Sequence, residues 1–379
     1  MVGGGGIAAL ETVLALQRLA GARAEIELIA PTAELVHRPG AVAAPFDGTV
    51  VPRYDLRAIA RDRGFKLRQD TVVRIDTEAH SVLTRTGREV RFDDLVIASG
   101  ARNVGVVPGA LTFRGPAESG HVRSLLDRML AGAIGHLAFI APTGATWSLP
   151  LYELALQTGA LLRCEGVGAK LTLITSERSP LAAFGPEAGA AVTELLAERG
   201  VDLRTSATAV SVDGGQVYLS GEAPLAVDAA IALPGLVGPR IPGLPADRLG
   251  FLPVDAFCRV DAGSRVYAIG DVAAQAVKQG GLAVQQADVA AVSIAAGLGV
   301  AVTPVPYRPL LRGLLLTGGA PLYLRREVGD AGVNAVSDQP LWWPATKVAG
   351  GRLSPYLASR PDLLVPKGPH NGQSDQAAA

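Results

Sequence analysis

The chain has 379 residues and a mass of 38.9 kDa, with 49% hydrophobic against 18% charged side chains. That supplies apolar surface for two or three packed cores and excludes a disordered chain. Lys+Arg and Asp+Glu both number 35, so no broad basic field marks a nucleic-acid binder.

Cys164 and Cys258 stand too far apart for a CxxC pair or a cysteine zinc site, and the 5 histidines show no ligand spacing. No metal centre is expected. Two uncharged stretches, Met129–Tyr152 and Val289–Tyr307, are broken by Pro142, Gly144, Pro150, Gly297 and Pro304. They read as soluble elements rather than spans, and with no signal peptide the expected compartment is the cytoplasm.

In chain order, Gly3–Gly6 is a glycine run followed by a helical pattern. Leu10, Val13, Leu14 and Leu16 share an apolar face, Arg18 lies opposite, and Gly21 stops the helix. Glu25–Ala30 then reads as a buried strand. Glycine loop, helix and strand form the second part of a βαβ nucleotide-binding unit, whose G-x-G-x-x-G/A grammar is met by Gly4, Gly6 and Ala9. Gly3, Gly5 and Ala8 fit equally by count. The first register is preferred because Glu11 would then stand in the helix's first turn, where a carboxylate is welcome. Only Met1 and Val2 precede the glycines, where ~5–6 strand residues are expected. The first strand is therefore expected to be truncated here and to begin upstream.

Arg91–Ile97 reads as a strand running into the small-residue turn Ala98-Ser99-Gly100. A second α/β unit follows: strand His136–Ala141, loop Pro142–Pro150, helix Leu151–Leu162, strand Lys170–Thr175 and helix Gly189–Arg199. Short strands are expected at Val201–Thr205, Thr208–Val212, Gln216–Leu219 and Asp228–Leu233. Ser264–Ile269 is a strand ending in Gly270-Asp271, and Leu282–Ala296 an alanine-rich helix. Pro309–Thr317 reads as a short strand and turn, and 366–379 as an unstructured tail.

Three motifs together carry a family resemblance: GGGIAALE (4–11), LVIASGA (95–101) and VYAIGDV (266–272). In this order and spacing they resemble the pyridine nucleotide-disulfide oxidoreductase superfamily of flavoproteins. KQGGLAVQQA (278–287) resembles its branch of sulfide:quinone reductases and type II NADH dehydrogenases. The resemblance implies an α/β fold of two Rossmann-like domains for FAD and NAD(P), the second inserted in the first. The implied division is 1–108 and 236–303 for FAD, 109–235 for the NAD(P)-like module, and 304–365 for a C-terminal region.

It also implies roles. Gly4, Gly6 and Ala9 would hold the FAD pyrophosphate at a helix N-terminus. Ser99 and Gly100 would lie beside the flavin, and Asp271, after Gly270, would accept from the ribityl hydroxyl. The helix near Gly281 would aim its positive end at the flavin. Lys278 as a flavin neighbour stands against a solvated surface lysine, and Arg38 as a phosphate contact against a surface arginine. Gln285 and Gln286 resemble a quinone-side segment, though glutamines on a helix are usually solvated.

Several positions depart from the family pattern. The second strand ends Ile29-Ala30-Pro31-Thr32 without its ribose-gripping acid, leaving Glu34 to reach back. The second nucleotide loop, Ala141–Trp147, keeps one glycine and adds bulk, so a pyrophosphate approaches it poorly. Glu177 is read as a loop glutamate before a ribose ligand. Neither cysteine matches a redox position, and both are read as buried and inert. Trp342 and Trp343, with Lys347 and Arg352, form either an interfacial membrane patch or a packed core.

The expected activity is an FAD-dependent oxidoreductase. Electrons pass from NAD(P)H or another small reductant through flavin to a quinone or similar acceptor, with no side-chain acid or base needed for hydride transfer. The alternative is a non-catalytic flavin-binding protein whose second site has decayed. The expected partners are a small-molecule donor and acceptor, without nucleic acid. Peripheral contact with the inner face of a membrane and a homodimer are left open.

Overall fold

The computed structural model describes residues 1–329 and 333–365. Its first layer is a five-stranded parallel sheet in the spatial order Val266–Ala268, Leu95–Ile97, Val2–Gly3, Glu27–Ala30 and Lys66–Gln69. Val2 and Gly3 form a two-residue strand at its centre, pairing with Leu28 and Ile29 on one side and Val96 and Ile97 on the other. The residues just ahead of the glycine loop thus hold the middle of the sheet.

A second five-stranded parallel sheet arises entirely between these strands in sequence. Its order is Leu111–Thr112, Ala229–Ala232, His136–Ala141, Lys170–Thr175 and Val201–Arg204. The two Rossmann-like layers are therefore nested, with the second inserted in the first. His136–Ala141 and Lys170–Thr175 are nearly continuous apolar runs because both faces of a parallel sheet are covered.

Three helices position the site: α1 (Ile7–Ala20), α2 (Leu149–Cys164) and α3 (Gly280–Gly297). Helices α1 and α3 pack together through small residues, Ala8, Ala9 and Ala15 on one and Ala283, Ala287, Ala290 and Ala291 on the other. Gly270 is wedged between them, where a Cβ would lie 3.3 Å from Ala8 Cβ and 3.4 Å from Ala283 Cβ. No helix among the described residues is long and apolar enough to cross a membrane.

The C-terminal region forms an antiparallel sheet, Leu310–Leu315, Leu322–Glu327 and Asn334–Ser337. Its first strand is an edge, and Gln285 of α3 satisfies it at Leu310. Gln285 both donates to Leu310 O (2.9 Å) and accepts from Leu310 N (3.0 Å), imitating a neighbouring strand. The expected tail, 366–379, lies outside the described residues.

Four sequence expectations are corrected. Glu11 lies beyond the first turn of α1 and is fully buried. It accepts from the backbone N–H groups of Arg352 (2.9 Å) and Leu353 (2.8 Å) and pairs with the Arg352 guanidinium, which also binds Asp288. Lys347 likewise turns inward, to buried Glu153. Both cations are directed to buried carboxylates. Trp342 packs edge-on against Tyr323 at 5.2 Å, leaving Trp343 exposed at 88%. Finally, Cys258 is buried but Cys164 is exposed at the end of α2.

Glu11→Ala would leave two helix-terminal N–H groups without their acceptor and take from the Arg352 guanidinium one of its two carboxylate partners. We expect a loss of roughly 3–5 kcal/mol in urea unfolding. A loss below about 1 kcal/mol would contradict the buried-pair assignment.

Candidate functional site

The first glycine turn is built by exclusion of side chains. Gly4 donates to Ile29 O at 2.8 Å and has φ +139°. A Cβ there would lie 2.2 Å from Ala98 O and 3.1 Å from Ser99 N. Only glycine fits both the dihedral and the space. Gly6 is the N-cap of α1 in extended conformation, with nothing within 4 Å of its would-be Cβ. The first N–H groups of α1 follow from it with no side-chain cap, which leaves them open to an anion. Ala9 is fully buried at the helix contact.

The close approach of Gly4 brings Ser99 and Gly100 to the same edge; Ser99 is exposed and Gly100 has φ +73°. On the neighbouring strand, Ile269 N donates to Ile97 O at 2.9 Å, which carries Gly270-Asp271 to the carboxyl end of the sheet. Gly270 N donates to Oε1 of Gln286 at 2.6 Å. Gln286 is buried and fixes this turn; it is not a solvated glutamine.

Asp271 has no hydrogen-bond partner among the described residues. Burial raises its pKa, while Lys278 and then Arg38 pull it down. Arg38, exposed at the start of the turn Arg38–Gly40, is therefore within electrostatic reach of Asp271. Lys278 is 5% exposed and is not a surface lysine. Its Nζ donates to Ala273 O and lies 3.8 Å from the Phe251 ring centroid. Burial pushes its pKa down to about 8, against the opposing pull of Asp271 and Asp247.

The sequence reading missed several groups here. Gln279, N-cap of α3, donates to Arg312 O at 2.5 Å and keeps a buried Oε1 without a partner. Glu153 on α2 is fully buried, takes Leu316 N at 3.0 Å and pairs with Lys347. Burial raises its pKa more than Lys347 lowers it. The next residue, Val348, lies 3.1 Å from a would-be Cβ on Gly280, so this ion pair borders the N-terminus of α3. Only KQGG, an amide before two glycines, hinted locally at any of this.

The second nucleotide loop is built differently. Trp147 packs on Phe184 at 5.7 Å and 58°. The N-cap Ser148 makes no side-chain bond, and Pro150 removes an N–H from the first turn of α2. Glu177 accepts from Tyr152 (2.9 Å), Thr175 (3.2 Å) and Ala182 N (3.2 Å), so its carboxylate is already engaged. Glu34 pairs with Arg53 at 3.2 Å instead of reaching back to the first loop.

These groups fit FAD at the first loop: a glycine cradle that a Cβ would fill, a helix terminus open to pyrophosphate, and a free carboxylate at a strand end. The second loop offers one glycine, Gly144, beside Trp147 and Pro150, and its ribose-side acid, Glu177, is already hydrogen-bonded.

The family model described as pyridine nucleotide-disulphide oxidoreductase matches residues 1–291. Two Mycobacterium tuberculosis proteins, NADH dehydrogenase-like protein MT1860 and NADH dehydrogenase-like protein Rv1812c, are each 32% identical over 215 residues. The match takes in 54% of this chain and 54% of each relative, so the chain spans about half the length of the curated relatives it matches. The fold is shared with the sulfide:quinone oxidoreductase of Aquifex aeolicus, at TM-score 0.80 and 18% identity over 89% of this chain and 86% of that one. A ferredoxin reductase from Rhodopseudomonas palustris aligns at TM-score 0.67 and 21% identity, over 86% of this chain and 82% of that one.

Gly4→Ala would drive a methyl group into Ala98 O, and we expect it to abolish retention of FAD through gel filtration. Retention at the wild-type level would refute the cradle. Lys278 gives a second test. Its folded pKa, about 8, lies below the ordinary 10.5. The unfolded chain therefore binds the extra proton between those values, and stability rises with pH across that window and is flat below it. In flavin-stripped protein, the stability of wild type relative to Lys278→Met should climb from pH 8 to pH 10. A difference independent of pH would contradict the assignment.

Proposed function

The chain belongs to the pyridine nucleotide-disulphide oxidoreductase family, and we infer from this that it is an FAD-dependent oxidoreductase. On that premise we propose that it passes electrons from a small reductant, through flavin, to a quinone-type acceptor, without NAD(P)H docking in the second domain. The observation that carries this reading is the contrast between the loops: consecutive glycines Gly4–Gly6 in the first, against the single Gly144 with Trp147 packed on Phe184 and Pro150 in the second.

Bound FAD would supply the electron chemistry, taking electrons in a pair and passing them on. The chain supplies position and charge. Backbone N–H groups after Gly6 would bind the pyrophosphate, Arg38 would add a cation nearby, and Ala9 allows the helix to sit close. Asp271 would accept from the ribityl chain, and Ser99-Gly100 would leave room for the ring. Lys278 and the N-terminus of α3 set a positive potential at its edge. Reduction of a quinone consumes protons, and the Glu153 carboxylate, its pKa raised by burial, can hold one beside Lys347.

One observation favours a second reading. The engagement of Glu177 by Tyr152, Thr175 and Ala182 suits a flavin-binding protein whose second site has decayed and which turns nothing over.

Anaerobic mixing of the FAD-loaded protein separates these readings. NADH and NADPH should leave the visible flavin absorption intact, and photoreduced protein should recolour on mixing with a water-soluble quinone. Bleaching by either nicotinamide would overturn the closed second site. Failure to recolour would favour the non-catalytic reading.

A further inference from the structure

The C-terminal sheet carries a pair of arginines that the flavin site does not use. Leu311, Gly313 and Leu315 face the core; a Cβ on Gly313 would lie 2.7 Å from Phe184 Cζ. Leu310, Arg312 and Leu314 consequently face the other way. Across the antiparallel register Arg312 stands directly opposite Arg325, and Arg325 opposite Ala335 on the third strand. On the same face, Leu314 stands opposite Tyr323, against which Trp342 packs.

Like charges directly opposite on an antiparallel pair repel, so this register is unfavourable unless something lies between them. The Arg312 guanidinium has no hydrogen bond or ion pair among the described residues. Its pKa is lowered by burial first and by the Arg325 charge second. Arg325 engages Glu327 through one terminal nitrogen at 2.8 Å, yet its Nε is buried without an acceptor. Glu327 itself stands two pairs farther along, opposite Leu310. It neutralises part of Arg325 and leaves Arg312 unanswered.

We propose that Arg312 and Arg325 form a binding site for a single oxyanion of the phosphate class. Two planar guanidinium forks on one face suit the tetrahedral, multiply charged acceptor, and the bound anion converts their repulsion into attraction. Inorganic phosphate and the phosphate of an anionic lipid headgroup present the same chemistry here. The experiment distinguishes them.

The full chain loaded with FAD is melted in rising sodium phosphate at constant ionic strength. The glycine loop is then already occupied by pyrophosphate. Wild type should gain stability with phosphate, and Arg312→Gln and Arg325→Gln should each weaken the apparent affinity by about tenfold or more, as loss of a charge-assisted hydrogen bond does. Without phosphate, Arg312→Gln should melt at or above wild type, because the repulsion is gone; a merely structural arginine would give the opposite sign. Bound flavin absorbance reports that each variant is folded, and either variant alone suffices. Sedimentation with phosphatidylglycerol vesicles, against phosphatidylcholine, assigns the source. Selective pelleting that both variants lose identifies a lipid headgroup, and a phosphate response without pelleting identifies a free anion. No response to either probe, or a response equal in wild type and both variants, overturns the site.

Discussion

The site depends on how closely α1 and α3 approach. These helices lie far apart in sequence, and alanines on both let their backbones meet with Gly270 between them. A larger residue at Ala8, Ala283 or Gly270 would push the Gly270-Asp271 turn away from the glycine loop. Close packing leaves no slack to absorb it. The helix contact thus unites chain segments near residues 4–9 and 270–286, and the proposed flavin site is what they share.

A second constraint is electrostatic. Glu11 with Arg352, and Glu153 with Lys347, are pairs whose carboxylates are fully buried; burial raises both carboxyl pKa values. Each pair includes a residue from the short stretch 347–352, so that segment is tied to α1 and α3 at one end and to α2 at the other. Buried pairs contribute little net stability but are costly to break. Their consequence here is register: Val348 is held against Gly280, at the positive end of α3.

Much of the fold was legible because parallel strands covered on both faces write themselves as apolar runs. His136–Ala141 and Lys170–Thr175 emerge with the expected bounds. The glycine run and the Gly270-Asp271 strand end were legible too, since their chemistry is local. What the sequence hid was the partner of each buried polar group. Glu11 looked like a first-turn carboxylate because its donors, Arg352 and Leu353, come from the far end of the chain. Gln285 and Gln286 looked solvated because nothing local reveals a strand edge or a turn lying against them. Lys347 and Arg352 suggested a surface patch for the same reason, and Glu153 left no local mark.

The surface joining Gly4–Gly6, Ser99–Gly100, Asp271 and Lys278 is proposed to hold FAD. The most direct measurement is the absorption spectrum of the full-length protein after incubation with excess FAD and gel filtration. A flavin spectrum at close to one FAD per chain is the expected result. A colourless protein that remains folded would contradict the account.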